Sequence, residues 1–557
     1  MNSAFTTHEV LNQSPPFENI NLFTSDPALQ EAVNREGGGA TVRRLTVFGE
    51  ACGSAAAFER GRLANENPPR LKTFDSKGRR LDIVEFHPAY HECMEMSVAE
   101  GLHCSPWEHA ASPGGKPIAG ANVARSAGCY MAIQMEAGHQ CPVTMTNASV
   151  PALLLQPEIV ADWLPKILTR HYDKTFRPVG AKRGATIGMG MTEKQGGTDV
   201  RANATTATPA GAGGPGAEYI VTGHKWFMSA PMCDAFLILA QAPGGLSCFL
   251  MPRFLPDGSV NALRFQRLKD KLGNRSNASS EVEFQTAHAW LIGEEGRGVP
   301  AIIEMVTGTR LDCAIGSAGL MRLALANALH HCRHRTVFQR KLVDQPLMQQ
   351  VLADLALDVE AATALAFRLC RSFDRASDAH AAAWRRLMTP VTKYWVCKLG
   401  PAVAYEAMEC MGGNGYVEEG LAARLYRELP LNAIWEGSGN VMVLDLLRVL
   451  QREPETLDIV MEDLGAAVGS DPQLKTHLER IQTMLHEPRL LEQRGRGLAE
   501  ALATVASGTI LRAHAPAYVA DAFIATRLSG MPRQTYGQGL EGADTRAIIE
   551  RACPPKA

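Results

Sequence analysis

No stretch of this sequence approaches the roughly 20 consecutive apolar residues that a membrane-spanning helix needs, so no membrane contact is expected. The start, Met1-Asn2-Ser3-Ala4-Phe5-Thr6-Thr7-His8-Glu9, lacks the basic residues and apolar centre of a secretory leader. The chain is read as cytoplasmic. Neither sign of charge prevails: 56 lysines and arginines stand against 58 aspartates and glutamates, a net of -2. Whole-chain charge therefore gives no reason to expect nucleic acid or an acidic membrane, and any such site has to be argued locally. Among 13 cysteines no Cys-x-x-Cys pair occurs. That absence argues against a zinc site and for reduced, mostly buried thiols. His87, His91, His103 and His109 crowd one region, but their spacing fits no zinc pattern, so no metal is expected.

What is present is ample: 557 residues, 46% hydrophobic and 20% charged, enough for several domains sharing large cores. The pattern divides the chain into four. Residues 1–182 read as a helical domain. Asp26 caps a helix whose first position is Pro27, Ser126 to Ala137 and Pro157 to Leu168 are helix-compatible, and loops fall at Asn65 to Arg70 and Ser112 to Pro117. Residues 183–292 carry short β-branched and aromatic runs such as Tyr219 to Thr222, Lys225 to Met228, Ala235 to Leu239 and Val282 to Phe284, which predict a compact β domain. From 293 to 451 the period turns helical. Leu347, Met348, Val351, Leu352, Leu355, Val359 and Ala362 form a wide stripe, repeated in Ile302 to Ala328 and Leu387 to Met411, so long helices in a bundle are expected. Residues 452–557 hold further amphipathic helices. The fold class is α+β and mainly helical.

Two stretches carry chemistry. Gly190-Met191-Thr192-Glu193-Lys194-Gln195-Gly196-Gly197-Thr198-Asp199 sets hydroxyls around a Gly-Gly turn, where a backbone can approach a phosphate or a ring edge. Far downstream, Cys410-Met411-Gly412-Gly413-Asn414-Gly415-Tyr416 is followed by Arg424, Glu428 and Ile434-Trp435-Glu436-Gly437-Ser438-Gly439-Asn440. By its own neighbours Glu436 is either a base held dry or a solvated turn residue. Trp226 is either core or a ring beside a cofactor.

Together the two stretches resemble the signature motifs of the acyl-CoA dehydrogenase family, in order and at family-like separation. The resemblance implies that family's layout: an N-terminal helical domain, a middle β domain and a C-terminal helical bundle, here with an extra C-terminal helical domain. It implies FAD, an acyl-CoA substrate and Glu436 as the catalytic base. The cofactor residues it implies are Met189, Met191, Thr192, Thr198, Trp226, Phe227, Ser229, Gly412, Gly413, Ile434, Trp435, Ser438 and Asn440. Arg335 and Phe338 match an Arg-x-x-Phe that reaches a neighbouring subunit's flavin, or else are a helix-end cation beside a packed aromatic. Some members carry the base near Thr309 and Arg310; no carboxylate stands there, although Asp312 and Glu304 are close. Trp435 replaces the usual tyrosine, which puts efficient turnover in question.

Gly61-Arg62-Leu63-Ala64-Asn65, Phe86-His87-Pro88-Ala89, Leu268 to Ala278 and the extension after Arg452 resemble the AidB branch, linked to the bacterial response to DNA alkylation. That likeness implies a homotetramer, at most weak dehydrogenation of short branched acyl-CoA such as isovaleryl-CoA, and double-stranded DNA bound by the C-terminal domain. The alternative is a purely metabolic dehydrogenase that passes electrons to an electron-transfer flavoprotein. Between Lys475 and Arg533 eight basic residues face five acidic ones. A modest basic face is thus available, with Arg489, Arg494, Arg496, Arg512 and Arg527 as the expected phosphate contacts.

Overall fold

The N-terminal third opens on α1 (Pro27–Arg35), where Asp26 accepts from the Leu29 N–H at 3.1 Å and Pro27 occupies the first turn, as the sequence predicts. The computed structural model describes residues 7–111, 115–375, 377–530 and 535–554. The first six residues, Ser112, Pro113, Gly114 and Arg533, all used in reading the sequence, lie outside the described residues. After α1 come α2 (Val42–Cys52) and α3 (Ala55–Glu66), then a hairpin of β1 (Arg70–Phe74) and β2 (Arg80–Glu85) that the reading of this region as helical did not anticipate. α4 (Pro88–Ala99), α5 (Trp107–Ala110), α6 (Ala121–Met135), α7 (Gln140–Leu153) and α8 (Pro157–Ile167) complete it.

A seven-stranded sheet follows, made of β3 (Ile187–Gly190), β4 (Thr206–Pro209), β5 (Glu218–Ser229), β6 (Ala235–Ala242), β7 (Gly245–Pro252), β8 (Leu263–Leu268) and β9 (Ser279–Ile292). The two runs expected at Tyr219 and Lys225 are one strand, β5, bent where Gly223 takes φ +151° beside Thr205. Register sets Met189 of β3 opposite Ser229 of β5.

The remainder is helical: α9 (Gly298–His334), a small hairpin of β10 (Thr336–Val337) and β11 (Arg340–Lys341), α10 (Pro346–Asp374), α11 (Ala379–Glu409), α12 (Gly413–Tyr416), α13 (Leu421–Asn432) and α14 (Gly439–Arg452). The predicted stripes become the buried faces of α9, α10 and α11, except at the start of α10, where Leu347 is exposed and Met348 and Val351 are half-buried. Beyond them lie α15 (Pro454–Val468), α16 (Pro472–Leu485), α17 (Leu491–His514), α18 (Ala517–Arg527) and α19 (Thr545–Ala552). These last helices are joined to the bundle through its interior. Val460, Leu464, Leu502, Val505 and Ile549 belong to the same apolar core as Leu355, Leu365 and Trp384, and as Leu29 and Tyr130 from the N-terminal helices. α17 lies against α10, α11 and α14 at once.

Candidate functional site

Glu436 stands in the short turn between α13 and α14 and holds φ +56°, a left-handed conformation that costs a non-glycine residue of order 1 kcal/mol. Side chains from distant segments keep it there. Arg310 of α9 donates Nε–H to the Glu436 carbonyl at 2.9 Å and Nη1–H to Asp445 at 2.7 Å, while Lys393 of α11 donates to the carbonyls of Trp435 (2.8 Å) and Gly437. Three consecutive carbonyls are thus held by two cations, and Glu436 lines a cavity. Its own N–H donates to nothing among the described residues and is free to meet a ligand oxygen.

The cavity is bounded by α7 (Cys141, Thr144, Met145), by Met189 and Ser229 at the paired ends of β3 and β5, by α9 and by Trp435. The Trp435 indole N–H donates to Asn432 Oδ1 at 2.8 Å, which fixes the bulky ring as a wall. Burial raises the Glu436 carboxyl above its usual range, and the Thr309 hydroxyl works against that rise. Thr309 Oγ1 lies 2.7 Å from Glu436 Oε2 and 3.0 Å from the Val306 carbonyl oxygen. A hydroxyl carries a single proton. It donates to the carboxylate when Glu436 is ionised; when Glu436 is protonated, the acid donates to Oγ1 and the hydroxyl turns to Val306. The pair satisfies both protonation states, as a group that takes up and releases a proton requires.

Thr309→Val is expected to shift the pH profile of substrate-driven flavin reduction to higher pH, because the lost hydrogen bond favours the ionised base. At neutral pH the rate should fall about tenfold, in line with a hydrogen bond to a charged group. Stopped-flow traces from pH 5 to 9 would read it, and an unmoved acid limb would assign the base elsewhere.

The other carboxylates near Thr309 are engaged. Asp312 takes a two-pronged pair from buried Arg125 at 2.7 Å plus the Thr144 hydroxyl, and Glu304 is exposed beside Arg385. Glu428, on the cavity wall, is lifted to about 7 by burial and by Glu136, and accepts from the Asn274 N–H at 2.8 Å.

The first signature turn is pinned by a pair that no local pattern announces. Glu193 and Lys225 are fully buried with Nζ to Oε1 at 2.7 Å, and Glu193 also accepts from the Ala204 and Thr205 N–H groups. Burial opposes its ionisation, but these donors win and hold it at about 2. Thr192 accepts from the Trp226 N–H at 2.8 Å; a Cβ on Gly197 would stand 2.4 Å from the Thr192 hydroxyl, while Gly196 holds φ +142°, so steric crowding at one glycine and backbone angle at the other favour the Gly-Gly turn. Lys269 places its ammonium 3.3 Å over the Trp226 ring; Phe227, Thr198 and Ile434 are exposed and Met191 is half-buried.

Of the residues expected to hold FAD, Met189, Ser229 and Trp435 line the cavity with Glu436, and Thr192 and Trp226 adjoin one another by that N–H to carbonyl bond. Ser438 and Asn440 open α14, two and four residues past Glu436. The cavity also holds Gln140 Oε1 and Asn274 Oδ1, buried without partners among the described residues. Orphaned acceptors, thioether side chains and exposed apolar surface fit a flat ring with polar edges.

Gly412, Gly413, Arg335 and Phe338 lie apart from Glu436. Arg335 ends α9, 25 residues past Arg310, which is about 37 Å along a helix. It donates to the Asn12 carbonyl, and next to Gly413 the Asn414 amide meets Gln13. The second Gly-Gly turn and the Arg-x-x-Phe element therefore share the far end of the bundle, where Phe338 is 90% exposed. Within one chain they do not reach Glu436.

The arginine face is corrected. Arg527 is buried between Asp354 and Asp358 and cannot meet a phosphate. Arg512 is shared by Asp471 and Asp521, Arg494 pairs with Glu487, and Arg496 donates to Asn440 at 2.8 Å. Arg489 is exposed with no side-chain partner among the described residues.

Comparison with known proteins gives three adjoining family matches: residues 12–174 to the adaptive response protein AidB N-terminal domain, 188–287 to the acyl-CoA dehydrogenase middle domain and 296–451 to the acyl-CoA dehydrogenase C-terminal domain. The chain is 48% identical over 518 residues to an Escherichia coli protein named as an acyl-CoA dehydrogenase, AidB, covering 93% of this chain and 94% of that one. It is 29% identical over 490 residues to acyl-CoA dehydrogenase family member 11 of Caenorhabditis elegans, covering 82% and 77%. A solved structure of Caenorhabditis elegans ACDH-11 in complex with C11-CoA superposes with a TM-score of 0.83 at 25% identity, over 100% of this chain and 95% of the other.

Proposed function

We propose that this chain, which belongs to the acyl-CoA dehydrogenase family of FAD-dependent oxidoreductases and within it to the AidB group, dehydrogenates short branched acyl-CoA thioesters such as isovaleryl-CoA, slowly, with Glu436 as base. The observation that carries this reading is the placement of Glu436. Its carboxyl is raised by burial, faces a largely apolar cavity and has Thr309 as its one side-chain hydrogen-bond partner among the described residues. A carboxylate so held removes the proton alpha to the thioester carbonyl. The free Glu436 N–H is available to that carbonyl's oxygen as charge develops on it. Bound FAD supplies the acceptor for the hydride that leaves the beta carbon. Met189, Met191, Thr192, Trp226, Phe227 and Ser229 would hold its ring region, and Ser438 and Asn440 its adenosine end. The fixed Trp435 wall supports a preference for short acyl groups.

An anaerobic titration of the FAD-loaded protein tests the proposal. Isovaleryl-CoA should bleach the flavin band, while an eleven-carbon acyl-CoA, the class bound in the Caenorhabditis elegans structure, should bleach it less. A flavin untouched by either would overturn it.

The same reading includes a homotetramer. Arg335 lies about 37 Å along α9 from Arg310, at the end of the bundle that also carries Phe338, Gly412 and Gly413, and a site completed by a neighbouring subunit would give these groups a role. It also includes weak, sequence-independent binding of double-stranded DNA through Arg489, Arg494, Arg496 and Arg512. Neutralising these four should abolish duplex binding whose affinity falls steeply with salt, at a log-log slope of about -0.9 per phosphate contact. Binding that persists in the four-site variant, or ignores salt, would remove this part of the proposal. A metabolic dehydrogenase alone would bleach with isovaleryl-CoA and ignore the duplex.

A further inference from the structure

A second cavity, of about 500 Å³, opens where the C-terminal helices meet the bundle. α10 and α11 form one side and α15 and α17 the other, so the hollow exists only because the extension packs there. Arg368, Arg371 and Arg375 stand at three- and four-residue steps along the end of α10, on one face, and Arg35 joins them from the end of α1.

The carboxylates present are accounted for. Glu36 takes Arg35 at 2.6 Å and lies 3.7 Å from Arg371, too far for a hydrogen bond. Asp463 accepts from His380 at 2.9 Å and from the Trp384 indole N–H at 2.8 Å, and Asp378 caps α11 through the Ala381 N–H. His514 closes the rim. Arg368 is left over: it is half-buried, its guanidinium lies 4.1 Å over the Trp384 ring, and it has no hydrogen bond or ion pair among the described residues. Arg375 is exposed and likewise has no side-chain hydrogen bond or ion pair among the described residues. Complementing the dipole at the end of α10 accounts for the sign of these charges. It does not account for a guanidinium drawn off the surface onto an indole without a counter-ion.

Opposite the arginines, Leu464, Ala466, Ala467, Ile510 and Ala513 make a wall of small and aliphatic side chains. A cavity of this size, apolar on one side with convergent polar groups on the other, has the build of a small-molecule site. We propose that it binds a phosphate monoester carrying a flat apolar body, the class that includes aryl phosphates and nucleoside monophosphates. Several guanidiniums suit the oxygens of one tetrahedral dianion, whereas a carboxylate would leave most of them unanswered. A duplex backbone could touch Arg375 at the rim but not Arg368 on the floor.

The test is calorimetric titration of the FAD-loaded, full-length protein with phenyl phosphate, using benzoate and inorganic phosphate as controls. Phenyl phosphate should bind one site per chain, at least tenfold tighter than either control, and a 20-base-pair duplex should not displace it. Arg368→Met, which keeps an aliphatic stem on Trp384, should weaken it at least tenfold without changing flavin bleaching by isovaleryl-CoA. Arg375→Gln, at an exposed position outside the core, should weaken it at least threefold and keeps the test decidable should the first variant fail to fold. Equal binding of benzoate or inorganic phosphate, displacement by the duplex, or unchanged affinity in a folded variant would each overturn the proposal. Because the reading concerns a cavity other than that of Glu436, loss of dehydrogenation leaves it standing and its failure leaves dehydrogenation standing.

Discussion

Replacing Glu436 by glutamine is expected to leave FAD bound and the fold intact while flavin reduction by acyl-CoA falls at least 10²- to 10⁴-fold, the usual contribution of a positioned general base. The amide matches the carboxyl in shape and keeps a hydrogen bond to Thr309, since an amide N–H can donate to Oγ1 and let the hydroxyl serve Val306. The Arg310 and Lys393 clamp acts on backbone carbonyls and does not feel the change. Proton removal alone is lost. The measurement is the single-turnover bleaching rate beside the flavin content of the purified variant. Retained bleaching would move the base to another carboxylate, of which Glu428 lies on the same cavity wall. Lost flavin would show that Glu436 holds the cofactor instead.

The second large effect is expected far from the reacting carbon, at Lys225→Met. Methionine fills the space of the lysine stem but strands Glu193, a fully buried carboxylate, with only neutral donors. Removing one partner of a buried ion pair costs about 3–5 kcal/mol. The damage falls on the Glu193 to Thr198 turn that carries the first signature, so FAD retention should drop along with the unfolding temperature. Adding Glu193→Gln should recover much of the loss, because the stranded charge is then gone. Differential scanning calorimetry and flavin release on gel filtration would read both variants. A single variant as stable as the parent would mean that the pair is dispensable.

How much of this was legible in the sequence depends on the reach of each interaction. α9, α10 and α11 announce themselves because a buried helix repeats its apolar residues every three or four positions, and that repeat is local. The β1–β2 hairpin gave no such sign; its strands are five and six residues long and mostly half-exposed, so alternation is faint. Glu436 could be singled out by family likeness, while its own neighbours favoured a solvated turn. What fixes its conformation lies far off in the chain. Thr309 and Arg310 come from about 127 positions upstream and Lys393 from about 42, and nothing in Thr309-Arg310 marks a contact with a glutamate. Arg527 shows the converse. Counted as a charge it belonged to a basic face, but Asp354 and Asp358, more than 160 positions away, had already claimed it. Net charge in a window says how many cations exist, not how many are free.

The shared interior of bundle and extension bears on how this protein comes apart. Val460, Leu502 and Phe523 sit in the same core as the bundle residues, so cutting the chain after Arg452 would expose a broad oily face of α10, α11 and α14 to water instead of releasing two soluble pieces. Such a molecule melts as one cooperative block across that seam. A protease probing the native state will find its first nicks in loops and not at the join. For an engineer, the final hundred residues are a keystone and not a removable tag: they cannot be lent to another scaffold, nor trimmed to make a leaner catalyst, without rebuilding the surface they cover.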